Sequence, residues 1–158
     1  MNKKEHLDIS RNIQKYGFHM VRISPEAEHY GRYFVYSIGL FESLGHPEIM
    51  VFLYNKDTAL ELINLVANEV ISGGRIDLNT PDDRFSSVPV IFKEIDKSNF
   101  EEYLGIGVDY YNGTEFNCYQ MFWPDIDGVY PWDSKYDGNY DVVDQPLLFQ
   151  KNYDEGIF

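Results

Sequence analysis

Residues Phe34–Phe52 constrain the fold of this chain more than any other stretch. Two apolar runs, Phe34-Val-Tyr-Ser-Ile-Gly-Leu40 and Ile49-Met-Val-Phe52, flank the polar break Glu42-Ser43-Leu44-Gly45-His46-Pro47-Glu48. In the extended period of two, Phe34, Tyr36, Ile38 and Leu40 share one face, and Tyr33, Val35, Ser37 and Gly39 the other. A strand apolar on both faces belongs inside a sheet. Gly39 weakens a strand, so it predicts close approach by another backbone or by a ligand. Ile49–Tyr54 reads as a second buried strand, with the break as a turn shaped by Gly45 and Pro47.

The flanking segments supply the rest of an α+β pattern. Ile9, Ile13 and Tyr16 recur on one face of a helix over 5–16, closed by Gly17, and Phe18–Ile23 reads as a strand. Glu26–Gly31 is a polar connector carrying His29. Thr58-Ala-Leu-Glu61 fits a capping box that opens a helix ending at Gly73-Gly74. Residues 75–87 are polar and turn-rich and are expected to be mobile. Val88–Ile95 returns to strand character. Ser98-Asn-Phe-Glu101 fits a second capping box, for a helix reaching Tyr111 in which Gly105 and Gly107 predict tight packing. Phe116–Trp123 is the last strand. The fold class is therefore α+β: a mixed, largely antiparallel sheet packed with two or three helices. Residues 1–132 form the domain, and 133–158 an irregular acidic tail pinned to it by Leu147-Leu148-Phe149.

Charge and composition narrow the function classes. A net charge of −13 disfavours a nucleic-acid reader or an anionic membrane as partner, since both need a basic footprint. The single cysteine, Cys118, excludes an internal disulfide framework and a cysteine-rich zinc site. No apolar run nears the roughly 20 residues of a membrane span, and the polar start lacks a signal-peptide core. A cytoplasmic setting is the expectation. The acidity is concentrated late: from Asp109 onward ten acidic side chains face only Lys135 and Lys151, a net of −8, whereas residues 1–54 balance.

A resemblance spans nearly the whole chain. Tyr16-Gly17-Phe18, Phe34–Leu40, Gly45-His-Pro-Glu-Ile49, Val88-Pro89-Val90, Tyr103-Leu104-Gly105, Gln120-Met-Phe-Trp-Pro-Asp125, Tyr130-Pro-Trp-Asp133 and Gln145-Pro-Leu-Leu148 follow in order. Together they resemble a mostly bacterial family, domain of unknown function 4262, from which this chain departs in its more acidic, Tyr-rich tail. The resemblance implies no activity, cofactor or catalytic residue to carry over.

Two constellations compete as sites. In the loop Gly45-His46-Pro47-Glu48, His46 is the residue type that titrates near neutrality, with Glu42 or Glu48 to orient it and Gly39 to admit a ligand. The structural alternative is a turn in which His46 bonds the backbone. Catalysis finds little else. The four histidines lack paired metal-ligand spacing, and Asp125-Ile-Asp127-Gly128 is only a fragment of a calcium loop. Ser37-Ile-Gly39 is not a nucleophile elbow. Neither a metal nor a cofactor is expected.

The second constellation is Trp123, Asp125, Asp127, Tyr130, Trp132 and Asp133, an acidic aromatic face suited to a basic protein. Its alternative is an aromatic clasp over one end of the core. The expectation is a non-catalytic acidic interaction protein, similar in type to immunity proteins that neutralise toxins. A ligand-binding or enzymatic domain at Gly39, Glu42, His46 and Glu48 is the alternative. The oligomeric state is left open.

Overall fold

The computed structural model describes residues 1–24, 33–53, 56–137 and 145–153. The connector expected over Glu26–Gly31 and much of the acidic tail lie outside the described residues. Five strands, β1 (His19–Ile23), β2 (Phe34–Ile38), β3 (Glu48–Phe52), β4 (Ile91–Glu94) and β5 (Cys118–Phe122), form one sheet in the order β1-β2-β3-β5-β4. All pairings are antiparallel except β3 with β5. The chain is α+β, with its helices distributed over both sheet faces.

The two-sided apolarity of the central strands decides this layering. Phe34, Tyr36 and Ile38 of β2 and Met50 and Phe52 of β3 face one core, closed by α1 (Lys3–Tyr16), α4 (Phe100–Tyr103) and α5 (Gly105–Tyr111). Val35, Ile49 and Val51 face the other, closed by α3 (Lys56–Ile71) through Ile63, Val66 and Val70. Each such side chain removed from water contributes about 1.5–3 kcal/mol. Leu40 departs from the expected strand face. The backbone turns at Gly39 into a short helix, α2 (Leu40–Leu44), which carries Leu40 into the opposite core.

Helix ends show what local patterns miss. α1 opens on a capping box between Asn2 and Glu5 and closes on left-handed Gly17, but Tyr16 is exposed. α3 starts at Lys56, so Thr58 stands inside its first turn instead of capping it. At the second expected box the cap is Asp96, which accepts from the backbone and hydroxyl of Ser98. A 3-10 turn (Lys97–Asn99) follows, and Leu104 separates α4 from α5. The Asn99 amide is diverted to the tail, donating to the carbonyls of Leu148 and Gln150. Leu148 itself is fully buried.

Residues 75–87 are fastened rather than loose. Ile76 and Phe85 are buried, bridges join Leu78 to Phe92 and Asp82 to Val90, and Arg84 ties together Asp82, Glu69 and the Arg75 carbonyl. Of the two packing glycines in α5, only Gly107 is crowded. A Cβ there would sit 3.3 Å from Phe116, and its N–H donates to the Tyr36 hydroxyl at 3.2 Å, whereas Gly105 faces open space. Cys118 is a free, buried thiol paired in register with Glu48 across the parallel strands.

Candidate functional site

Glu48 opens β3 and is fully buried. A carboxylate in that position needs several donors to offset the loss of water. Its Oε1 accepts from the Ser37 hydroxyl at 2.8 Å and the Leu40 N–H at 3.2 Å. Its Oε2 accepts from Gly39 N–H at 2.9 Å, Phe41 N–H at 3.2 Å and the Tyr111 hydroxyl at 2.5 Å. Gly39, the residue before α2, has no side chain to satisfy the first N–H groups of that helix. Glu48 supplies the cap from the neighbouring strand, at the end of the helix where negative charge is favoured.

Burial is the largest influence on the Glu48 carboxyl and raises its pKa above the ordinary 4.5. The donors Tyr111, Gly39, Ser37 and Phe41 act in the opposite direction. Burial beside that carboxylate also drives the Tyr111 hydroxyl well above the usual tyrosine range. Tyr111 additionally accepts from the N–H groups of Gly39 and Glu42, and its neighbour Tyr110 donates to the Glu42 carboxylate at 2.7 Å. Gly39, Glu42 and Glu48 are thus brought together, by two adjacent tyrosines of α5.

His46 is not part of that group. Its Nδ1 lies 2.8 Å from its neighbour's carbonyl, Pro47 O, and its ring meets Tyr119 edge-on. Half-burial lowers the His46 pKa, a shift the Pro47 carbonyl opposes. Glu48 makes no hydrogen bond to the ring, so the orienting role expected of it is not realised. Ser37 and Glu48 have no exposed surface, and the buried thiol of Cys118 is pushed well up. Among the described residues no group of three or more His, Cys, Asp or Glu side chains is placed to hold a metal.

Sequence reasoning weighed Ser37 only as a nucleophile and missed Tyr110 and Tyr111 altogether. Their partners are 63 and 68 positions away, a separation no local spacing rule can detect. The one usable signal was Glu48 itself, a charged residue opening a run of buried apolar ones.

The second constellation divides into a brace and a rim. Asp125 is buried, and its oxygens accept from the backbone N–H groups of Asp127, Val129 and Asp137, each at 2.9 Å. Those bonds, Asp137 first, hold its carboxyl below the usual aspartate range. Trp132 packs edge-on against Phe122 and Phe149 and stacks with Tyr130, and the Lys93 ammonium lies 4.5 Å from its ring centre. Tyr130 donates to the Pro89 carbonyl. The Trp123 backbone exchanges hydrogen bonds with the Gln145 amide, and its indole N–H is buried with no partner among the described residues. Asp127 and Asp133 are exposed, and between Asp125 and Asp127 stands Ile126, at 76% exposure.

A family model described as "Domain of unknown function (DUF4262)" matches residues 12–137. No curated protein and no solved structure matches the chain.

Proposed function

The chain belongs to the DUF4262 family, and we propose that it acts as a non-catalytic acidic interaction protein that binds a basic protein partner, in the manner of a toxin-neutralising immunity protein. What carries this reading is Ile126, a large apolar side chain held out at 76% exposure beside Asp127 on a turn that Asp125 fixes from beneath. An apolar anchor on a rigid loop loses little conformational entropy on binding, and neighbouring carboxylates attract a cationic surface. Asp125, Trp123 and Trp132 support the loop, while Ile126, Asp127 and Asp133 make contact. Tyr130 braces Trp132 from the side.

The alternative, a ligand-binding or enzymatic domain around Gly39, Glu42, His46 and Glu48, draws less support. The Glu48 oxygens are occupied by five protein donors, and His46 is turned to the backbone.

Affinity purification of tagged protein from its host should recover one basic protein in stoichiometric amount, released by added salt. Recovery should fall with Ile126→Ser and with Asp127→Asn/Asp133→Asn. A recovered set containing no basic protein, or binding indifferent to these changes and to salt, would sink the reading.

A further inference from the structure

The two edges of the sheet are finished differently. β4 is covered: Leu78 bridges to Phe92, and Asp82 and Val90 exchange backbone hydrogen bonds at 2.8 and 2.9 Å. β1, at the other edge, pairs with β2 from His19 to Ile23. Antiparallel pairing turns alternate N–H and C=O groups away from the neighbour. Among the described residues no backbone group bonds the outward ones of β1. An open edge is a template for a further strand, which is why sheets commonly cover or blunt it.

A cavity of about 240 Å³ lies against that open edge. Its walls include His19, Met20 and Arg22 of β1, Asn12 and Tyr16 of α1, and Asn64 of α3. α1 and α3 pack on opposite faces of the sheet, so a cavity reached by both wraps the outer side of the strand. Its lining holds a guanidinium, an imidazole, two amides and a phenol, and no carboxylate, in a chain of net charge −13. Among the described residues no carboxylate is paired with Arg22. The Asn12 amide donates to His19 Nδ1 at 2.9 Å, which places the ring proton on Nε2. The Lys15 ammonium, 5.1 Å from the Tyr16 ring centre, adds a second cation at the rim.

We infer that the β1 edge takes up an extended acidic segment of another protein as a sixth strand. The backbone of that segment would bond the outward N–H and C=O groups of β1. Its side chains would alternate to match: carboxylates beside Met20 and Arg22 on the α3 face, apolar groups beside Val21 and Ile23 on the α1 face. Charge complementarity selects this occupant. A small anion would leave the edge backbone unmet, a basic segment would set its charge against Arg22 and Lys15, and a second copy of the chain would bring the same cationic edge against itself. The inference does not rest on the proposed function: Ile126 follows β5, three strands away, and the charge sought is opposite.

The test is fluorescence anisotropy with a fluorescein-labelled peptide of alternating valine and glutamate, about seven residues long so as to span the strand. One twin carries lysine for glutamate. The other is N-methylated at two adjacent central residues, which blocks both of its edges. The parent should bind the glutamate peptide, and each twin should bind about tenfold or more weaker. Arg22→Gln should weaken binding about three- to fivefold, the upper range for one exposed ion pair. Lys151→Gln, which removes the same charge from the far end of the chain, and Ile126→Ser should change it by less than about 1.5-fold. Hydrogen exchange over residues 19–23 should slow when the peptide is bound. Circular dichroism checks that each variant is folded. No binding by the parent, binding of the methylated twin equal to that of its model, or equal losses from Arg22→Gln and either control overturns the strand addition. Arg22→Gln that self-associates on size-exclusion chromatography and binds the peptide as the parent does also overturns it, because the arginine then only guards the edge.

Discussion

Replacing Gly39 by alanine measures how tightly the β2–α2 corner is built. Gly39 has φ +121°, a conformation L side chains rarely adopt, and holding one costs about 1–3 kcal/mol. A Cβ would also sit 2.8 Å from Cγ1 of Ile13 and 3.1 Å from the Phe18 backbone. Ile13 can shift a little; the Phe18 Cα cannot without moving the start of β1. Such overpacking costs about 1–3 kcal/mol, and the stiffer unfolded chain returns about 0.4–1. The net expectation is a loss of about 1–5 kcal/mol. Urea unfolding followed by the fluorescence of Trp123 and Trp132 reads it as a lowered midpoint with an unchanged slope. Gly105→Ala is the matched control, for a Cβ there touches nothing and the residue opens α5. It should be neutral or up to about 1 kcal/mol stabilising. Gly39→Ala within about 0.5 kcal/mol of the parent, or no more costly than Gly105→Ala, would refute the reasoning.

Three further outcomes follow from the buried network and the clasp. Tyr111→Phe removes a donor to Glu48 and an acceptor for two backbone N–H groups, and should cost about 1–3 kcal/mol in the same urea assay; an unchanged midpoint contradicts the assignment. For Glu48, an acid whose folded pKa is raised binds its proton more tightly in the folded chain. That stability is complete below the unfolded value near 4.5 and lost as pH rises through the folded value. The advantage of the parent over Glu48→Gln should therefore narrow from mildly acidic to neutral pH, and a widening gap reverses the sign. Lys93→Ala takes the ammonium off Trp132 and Phe149 and should cost about 0.5–1 kcal/mol with a change in tryptophan emission; unaltered emission and stability would remove that contact.

The strands were legible because burial on both sheet faces leaves continuous apolar runs, and β2, β3 and β5 stand within a residue or two of where those runs place them. Leu40 was misplaced because alternation was carried past Gly39, where the backbone leaves the strand. Neither expected capping box opens its helix. α3 begins two residues before Thr58, and Asp96 takes the Ser98 N–H while Asn99 is drawn to the tail. Gly39 was read as a point of close approach, and the Phe18 backbone does press against it. The partners of Glu48 could not be read. A strand residue capping a helix outside its own strand, with a tyrosine from α5 beneath, is a fact of tertiary structure.

Cys118 turns the centre of the sheet into a clock. Its thiol is buried and shifted away from thiolate, and it sits where β3 and β5 pair in parallel. A thiol-reactive dye can modify it only after the core on that sheet face opens, because the thiolate is the reactive form and the folded chain withholds both exposure and ionisation. With one cysteine in the chain, each labelling event reports that single opening. Where reclosing outpaces reaction, the labelling rate gives the free energy of opening that core; where reaction is faster, it gives its opening rate.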